Sequence, residues 1–219
     1  MGNFAAATVC FTVDAQPPTV RIRYPLNGSI FNRTTIYVEW VGDDIVGIDY
    51  YEVYIGDHHA LTTTRTNATL TLDAGEYRTR ITVVAIDLAE HCASDSILLT
   101  IDTLAPRLAL HLPSNLLNTS SAVLEWSVYD PFFSHATLFL DGSLYATLTP
   151  NQTVALTNLT DGLHTVQVIA YDAAGNVGEA AASFTVDTTP PTIAITYPAS
   201  NTTLTQTTVT IEWVGSDAA

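Results

Sequence analysis

Phe11-Thr12-Val13-Asp14-Ala15-Gln16-Pro17-Pro18-Thr19-Val20 returns as Phe184-Thr185-Val186-Asp187-Thr188-Thr189-Pro190-Pro191-Thr192-Ile193. The offset from Asp14 to Asp187 is 173. It holds without a gap from Gly2-Asn3, matching Gly175-Asn176, to Val46, matching Ala219. About 20 of roughly 45 pairs are identical, the mark of an internal repeat. A weaker copy, Leu99-Thr100-Ile101-Asp102-Thr103-Leu104-Ala105-Pro106, lies between them. The period therefore holds two modules, 88 residues from Asp14 to Asp102 and 85 from Asp102 to Asp187. That is the size of a small β-sandwich.

Working outward, each module reads as strands. Alternation puts Ile36, Val38 and Trp40 on one face, with Tyr37 and Glu39 on the other. The same register recurs at Ala122, Leu124, Trp126 and at Val209, Ile211, Trp213. A period of two at this density means half-buried strands. Further strands are expected at Tyr50–Ile55, Leu70–Leu72, Ile81–Ile86, Ile97–Ile101, Thr137–Leu140, Val166–Tyr171 and Ser183–Val186. Turn signals separate them: Asn27-Gly28, Ile55-Gly56-Asp57, Ala74-Gly75, Asp141-Gly142, Asp161-Gly162 and Ala174-Gly175-Asn176. No amphipathic helix is expected. The tryptophans are expected to be buried between two sheets.

A tryptophan on the second strand followed by Tyr50-Tyr51-Glu52-Val53-Tyr54 resembles fibronectin type III and bacterial Ig-like repeats. So does Leu72-Asp73-Ala74-Gly75-Glu76-Tyr77 ahead of a Val-x-Ala-x-Asp strand. The run Ala170-Tyr171-Asp172-Ala173-Ala174-Gly175-Asn176 leading to Val186-Asp187-Thr188-Thr189-Pro190-Pro191 is similar to repeats of prokaryotic adhesins, S-layer-associated proteins and surface stalks. The first module departs from that pattern, with Glu90-His91 in place of Gly-Asn. The resemblance implies an all-β chain of tandem Ig-like or fibronectin-III-like antiparallel β-sandwiches in an extracellular, cell-surface setting. The expected organisation is a last strand over 1–14, a module over 15–102, a second over 103–187, and the first two strands of a further module over 188–219. The chain then reads as a window on a longer array. Its ends would be completed by continuing repeats or a neighbouring chain.

Composition narrows the function. With 219 residues and 47% hydrophobic content, a packed core is attainable. A net charge of −15 lacks the basic footprint that nucleic acid or an anionic membrane demands. All 7 basic residues are arginine, which excludes Lys–Asn isopeptide cross-links. No run of about 18 apolar residues marks a membrane span.

Seven of the ten asparagines stand in Asn-x-Ser/Thr: Asn27, Asn32, Asn67, Asn118, Asn151, Asn158 and Asn201. Chance in a Ser/Thr-rich chain would give about two or three, so N-linked glycans on exposed turns are expected. Asp14, Asp102 and Asp187 end last strands, and Asp87 and Asp172 enter them. Asp43, Asp44 and Asp217 follow the tryptophan strands. Clustered carboxylates suit a hard cation such as Ca²⁺, and equally serve as solvated turn aspartates. Cys10 and Cys92 occupy non-equivalent positions and are expected not to bridge each other; two buried or free thiols are the reading, with an intermolecular bridge as the alternative. Asp57-His58-His59 is the best candidate for transition-metal binding, although a lone His-His pair of this kind ordinarily reads as a polar hairpin turn. Catalytic motifs are absent, and Glu39, Glu125 and Glu212 repeat at one strand position as architecture does.

The reading is a non-enzymatic structural component of an extracellular filament, stalk or S-layer-type array that self-associates. An adhesin or carbohydrate-binding region is the alternative, with Tyr50, Tyr54, Phe132 and Phe133 as sugar-stacking rings. So is an accessory part of a secreted hydrolase.

Overall fold

The computed structural model describes residues 4–217. They are all strands and connections. Two compact units separate by their internal contacts. The first is Met1–Leu104 with Ala173–Asn176, the second Ala105–Asp172 with Val177–Ala219.

In the first unit, β1 (Thr19–Tyr24), β3 (Thr35–Asp43) and β6 (Asn67–Thr71) form a three-stranded sheet in the order β1-β3-β6. The facing sheet orders β2 (Ile30–Phe31), β8 (Cys92–Asp102), β7 (Glu76–Asp87), β4 (Ile48–Ile55) and β5 (His58–Thr63) as β2-β8-β7-β4-β5. The alternation in β3 works as read: Ile36, Val38 and Trp40 are buried, and the residues between them face solvent. They meet Tyr51, Val53, Ile81, Val83, Leu99 and Ile101 from the larger sheet in one core. The Trp40 indole lies edge-on to Tyr51, with ring centroids 5.6 Å apart. Burying each such side chain contributes about 1.5–3 kcal/mol.

The second unit repeats this plan. β9 (Arg107–His111), β11 (Ser121–Tyr129) and β14 (Thr153–Thr157) make the small sheet. β10 (Leu116–Leu117), β16 (Val177–Val186), β15 (Gly162–Asp172), β12 (Phe133–Leu140) and β13 (Ser143–Leu148) make the large one, in that order. Trp126, Leu124, Leu138, Val168 and Phe184 lie in its core. Among connections, β2–β8 and β10–β16 are parallel pairs, and every other ladder is antiparallel. The observed strands start several residues earlier than expected at β7, β8, β15 and β16. Apart from His164 and Gly178, their extra residues are exposed or half-buried, so they carry weak periodicity.

β17 (Thr192–Tyr197) and β18 (Glu212–Ser216) form a two-stranded pair. Ile193, Ile195, Ile211 and Val209 are exposed, and so is Trp213, at 64%. The expectation of three buried tryptophans therefore holds for Trp40 and Trp126 and fails for Trp213. Only one sheet stands there, and a strand pair alone has no opposite face to bury an indole against. His58 and His59 also depart from the reading. The turn is Gly56-Asp57, and both histidines already lie on β5.

Candidate functional site

All seven sequon asparagines are exposed. Asn151, Asn158 and Asn201 adopt positive φ, a turn conformation asparagine tolerates better than most residues. Asn27 Oδ1 accepts the Leu98 N–H at 2.8 Å, and Asn151 Oδ1 accepts that of Val128 at 3.3 Å. In both, the carbonyl oxygen is the atom engaged with the backbone.

The junction aspartates are distributed unevenly. In the first unit, Asp14, Asp87 and His91 each place one ligand atom within 4.8 Å of the others. Asp87 ends β7 and is buried. Its Oδ1 accepts the N–H groups of Ala89 (2.8 Å) and His91 (2.9 Å), and its Oδ2 lies 3.1 Å from His91 Nδ1. Burial alone would raise this carboxyl; the amides of His91 and Ala89 and the His91 ring outweigh it and hold the pKa below the usual value. Asp14 Oδ1 takes the Gln16 N–H at 3.1 Å, while its Oδ2 is buried without a hydrogen-bond partner. Asp102, fully buried at the end of β8, stands opposite Glu76 in the β7–β8 ladder.

In the second unit, Asp172 is buried at the end of β15. Asp130 lies close enough to feel its charge. Burial raises the Asp130 carboxyl, Asp172 raises it further, and the Phe132 N–H opposes both. Asp130 Oδ2 is likewise buried without a partner. Sequence reasoning did not single out Asp130; its signal was its place behind Trp126, where Asp44 follows Trp40. Asp187 Oδ1 accepts the Thr189 N–H at 3.1 Å. Beside it works a second carboxylate that reading took only for part of a turn. Asp161 accepts the Thr188 N–H (2.9 Å) and hydroxyl (2.7 Å) at Oδ1, and the Thr189 hydroxyl (2.7 Å) at Oδ2. The two hydroxyls, then the amide, hold its pKa low.

The sugar-stacking candidates part company. Phe133 is partly buried and packs on the second core, its ring 6.4 Å from that of Trp126. Tyr50 instead lines a groove of about 440 Å³ on the first unit, with Glu52, Val84, Ile86, Glu90 and Cys92. The Tyr54 hydroxyl donates to Glu52 at 2.7 Å beside it. At the matching place in the second module, His135 stacks on Tyr171 at 4.8 Å. Cys10 and Cys92 are free and exposed.

Residues 135–188 match the family model described as the bacterial Ig-like domain. The match falls on the second module, and the first module shares that module's strand order and ladder registers. Chitinase A1 of Niallia circulans is 31% identical over 196 residues, which are 80% of this chain and 26% of that protein. This chain thus spans about a quarter of that relative. Among solved structures, the fibronectin(III)-like modules of Clostridium thermocellum CbhA align at 18% identity with a TM-score of 0.42, over 77% of this chain and 94% of that one. A tetra-tandem repeat in the extending region of a large adhesion protein aligns at 22% identity with a TM-score of 0.42, over 83% and 52%.

Proposed function

We propose that this chain is a non-catalytic, glycosylated structural repeat of an extracellular surface assembly, in which Ig-like modules set length and stiffness and neighbouring chains or repeats associate. One observation carries the reading. What the two modules have in common is core and joint, namely the buried strand faces and the aspartates beside the linkers. What differs is the outward surface beside β4 and β12, where Tyr50 lines a groove in the first module and His135 stacks on Tyr171 in the second. Selection on a spacer would preserve the former and leave the latter free. The exposure of all seven sequon asparagines supports glycans at Asn27, Asn32, Asn67, Asn118, Asn151, Asn158 and Asn201. Peptide mapping and electron microscopy of native material test the proposal. Sugar on several sequons and an ordered polymer are expected. Unmodified asparagines and dispersed single chains would overturn it.

Ca²⁺ at the joints belongs to the same proposal. The buried, unpartnered Oδ2 atoms of Asp14 and Asp130 are suited to a cation. Asp14 and Asp87 would hold one in the first unit, and Asp172 with Asp130 in the second; Asp102 and Asp187 end the strands leading to the joints. The ion would neutralise facing carboxylates and so stiffen the joint. His91 makes the first set a poorer match for a hard cation than an all-oxygen one. A chelator should lower the melting temperature if ions are bound, and leave it unchanged otherwise.

A second reading rests on the chitinase likeness: these are accessory modules of a secreted hydrolase. A catalytic domain on the same native polypeptide, seen by intact mass and peptide sequencing, would favour it over the assembly.

A further inference from the structure

His164 opens the buried part of β15 and is 7% exposed. Its ring lies against Phe184 of β16, centroids 5.5 Å apart at 29°. Nδ1 is 2.7 Å from Asp141 Oδ2, and Nε2 is 2.7 Å from the carbonyl oxygen of Thr160. Both partners are acceptors only. A neutral imidazole carries one N–H, so it would leave a lone pair of this largely buried ring facing an oxygen at hydrogen-bond distance, although Asp141 itself is 46% exposed. A doubly protonated ring satisfies both contacts.

We propose that His164 is held as an imidazolium and forms a pH-sensitive clip in the second module, closed when the ring is charged and released when it loses a proton. The clip joins three pieces of chain. Asp141 sits in the β12–β13 turn at φ 50°, and its other oxygen accepts the Thr165 N–H at 2.8 Å. Thr160 precedes Asp161, whose carboxylate anchors Thr188 and Thr189 of the exit segment. One proton thus ties the hairpin turn to the turn that fixes the exit. Among the described residues, Asp141 is the one ionisable group acting on the ring; β16 presents Phe184, and Asp161 spends its oxygens on the threonines. The Thr160 carbonyl first, then Asp141, push the His164 pKa up against the opposing effect of burial. The Thr165 amide first, then His164, hold Asp141 down. The first module has no such clip, since glycine and threonine (Gly56, Thr79) stand at the corresponding positions.

The signs follow from linkage. The raised histidine contributes fully below its ordinary value of 6.5 and fades as pH rises through the folded value. The depressed aspartate contributes fully above its ordinary 3.8 and fades as pH falls through its folded value. The clip is therefore complete between those two ordinary values.

The test is a pH titration of the whole chain by ¹⁵N–¹H NMR. His164 should remain doubly protonated at pH 6.5, the ordinary histidine value. Amide exchange at Thr165 and Thr188 should accelerate as His164 loses its proton. Asp141→Asn should lower the His164 midpoint, because it removes the carboxylate that favours the charged ring. A His164 ring that is neutral at pH 6.5 in the folded chain overturns the proposal without any variant. So does exchange at Thr165 and Thr188 that ignores the His164 midpoint.

Discussion

Residues 19–43 and 192–216 are near copies, and the structure treats them alike up to a point. Both make an antiparallel pair, with Thr19 opposite Asp43 and Thr192 opposite Ser216. Both shift register at the same place, between Ile22 and Tyr24 and between Ile195 and Tyr197. Both hold a cis Tyr-Pro bond. Yet Trp40 is 1% exposed and Trp213 is 64% exposed. Local sequence decides that the strands form and how they register. Burial is decided by whether a second sheet lies opposite. The first pair has β4, β7 and β8 against it; the second has no facing sheet among the described residues.

The sharpest way to break this comparison is to truncate the matched indoles. Trp40→Ala, like Trp126→Ala, should cost about 3–5 kcal/mol by denaturant unfolding, from lost burial plus a cavity. Trp213→Ala should change stability by less than about 0.5 kcal/mol, as exposed substitutions do. Equal losses at Trp40 and Trp213 would mean that β17–β18 is covered.

The following glycines give a second, smaller contrast. A Cβ on Gly42 would meet the ring of Tyr51, which is itself buried. On Gly215 the nearest atom is 3.5 Å away. Gly42→Ala should therefore cost about 1–3 kcal/mol by overpacking. Gly215→Ala should leave the melting temperature unchanged.

The two complete modules supply a third. Glu90 adopts φ 68°, where the second module has Gly175 at φ 88°. Left-handed backbone costs a non-glycine residue about 1–2 kcal/mol. Glu90→Gly should stabilise the first module by up to about 1 kcal/mol after the entropy glycine gains on unfolding. Thermal melts of the variant would show it.

The smallest expected effect is a pH dependence. Asp161 has its pKa lowered by Thr188 and Thr189, so its anchoring is complete above its ordinary value of 3.8 and is lost as pH falls through the lower folded value. Amide exchange at Thr188 should rise over that acid range, and Asp161→Asn should remove the rise.

The all-β architecture, the module period and the inward faces of β3 and β11 were legible because period-two alternation and a repeat both survive in a single sequence. Asp14 and Asp87 were each singled out among the junction aspartates, but their approach to each other and to His91 was not, because Asp14 lies in a segment without strand structure and Asp87 ends β7 more than 70 residues on. Asp130, Asp161 and the His164 clip were not legible. Their meaning depends on partners more than 20 residues away in the chain, such as Asp141 beside His164, Thr188 beside Asp161 and Asp172 near Asp130. Phe133 misled because an aromatic at a strand end looks the same in sequence whether it points in or out. Trp213 misled because a strand's inward side chain needs cover that its own sequence does not encode.

The short parallel pairs have a mechanical consequence. Near its entry each module lays Ile30–Phe31, or Leu116–Leu117, alongside the final strand just before its exit. Around these pairs Gly28 N–H donates to Leu98 O, Thr100 N–H to Ser29 O, Thr185 N–H to Asn115 O and Asp187 N–H to Leu117 O. Tension applied at the two ends of a module pulls these neighbouring strands in opposite directions along their length. The bonds between them then bear the load together and must fail at once, whereas a hairpin pulled open from its mouth loses them one at a time. The first thing a stretched module resists with is this entry-to-exit seam, while the hydrophobic core lies behind it.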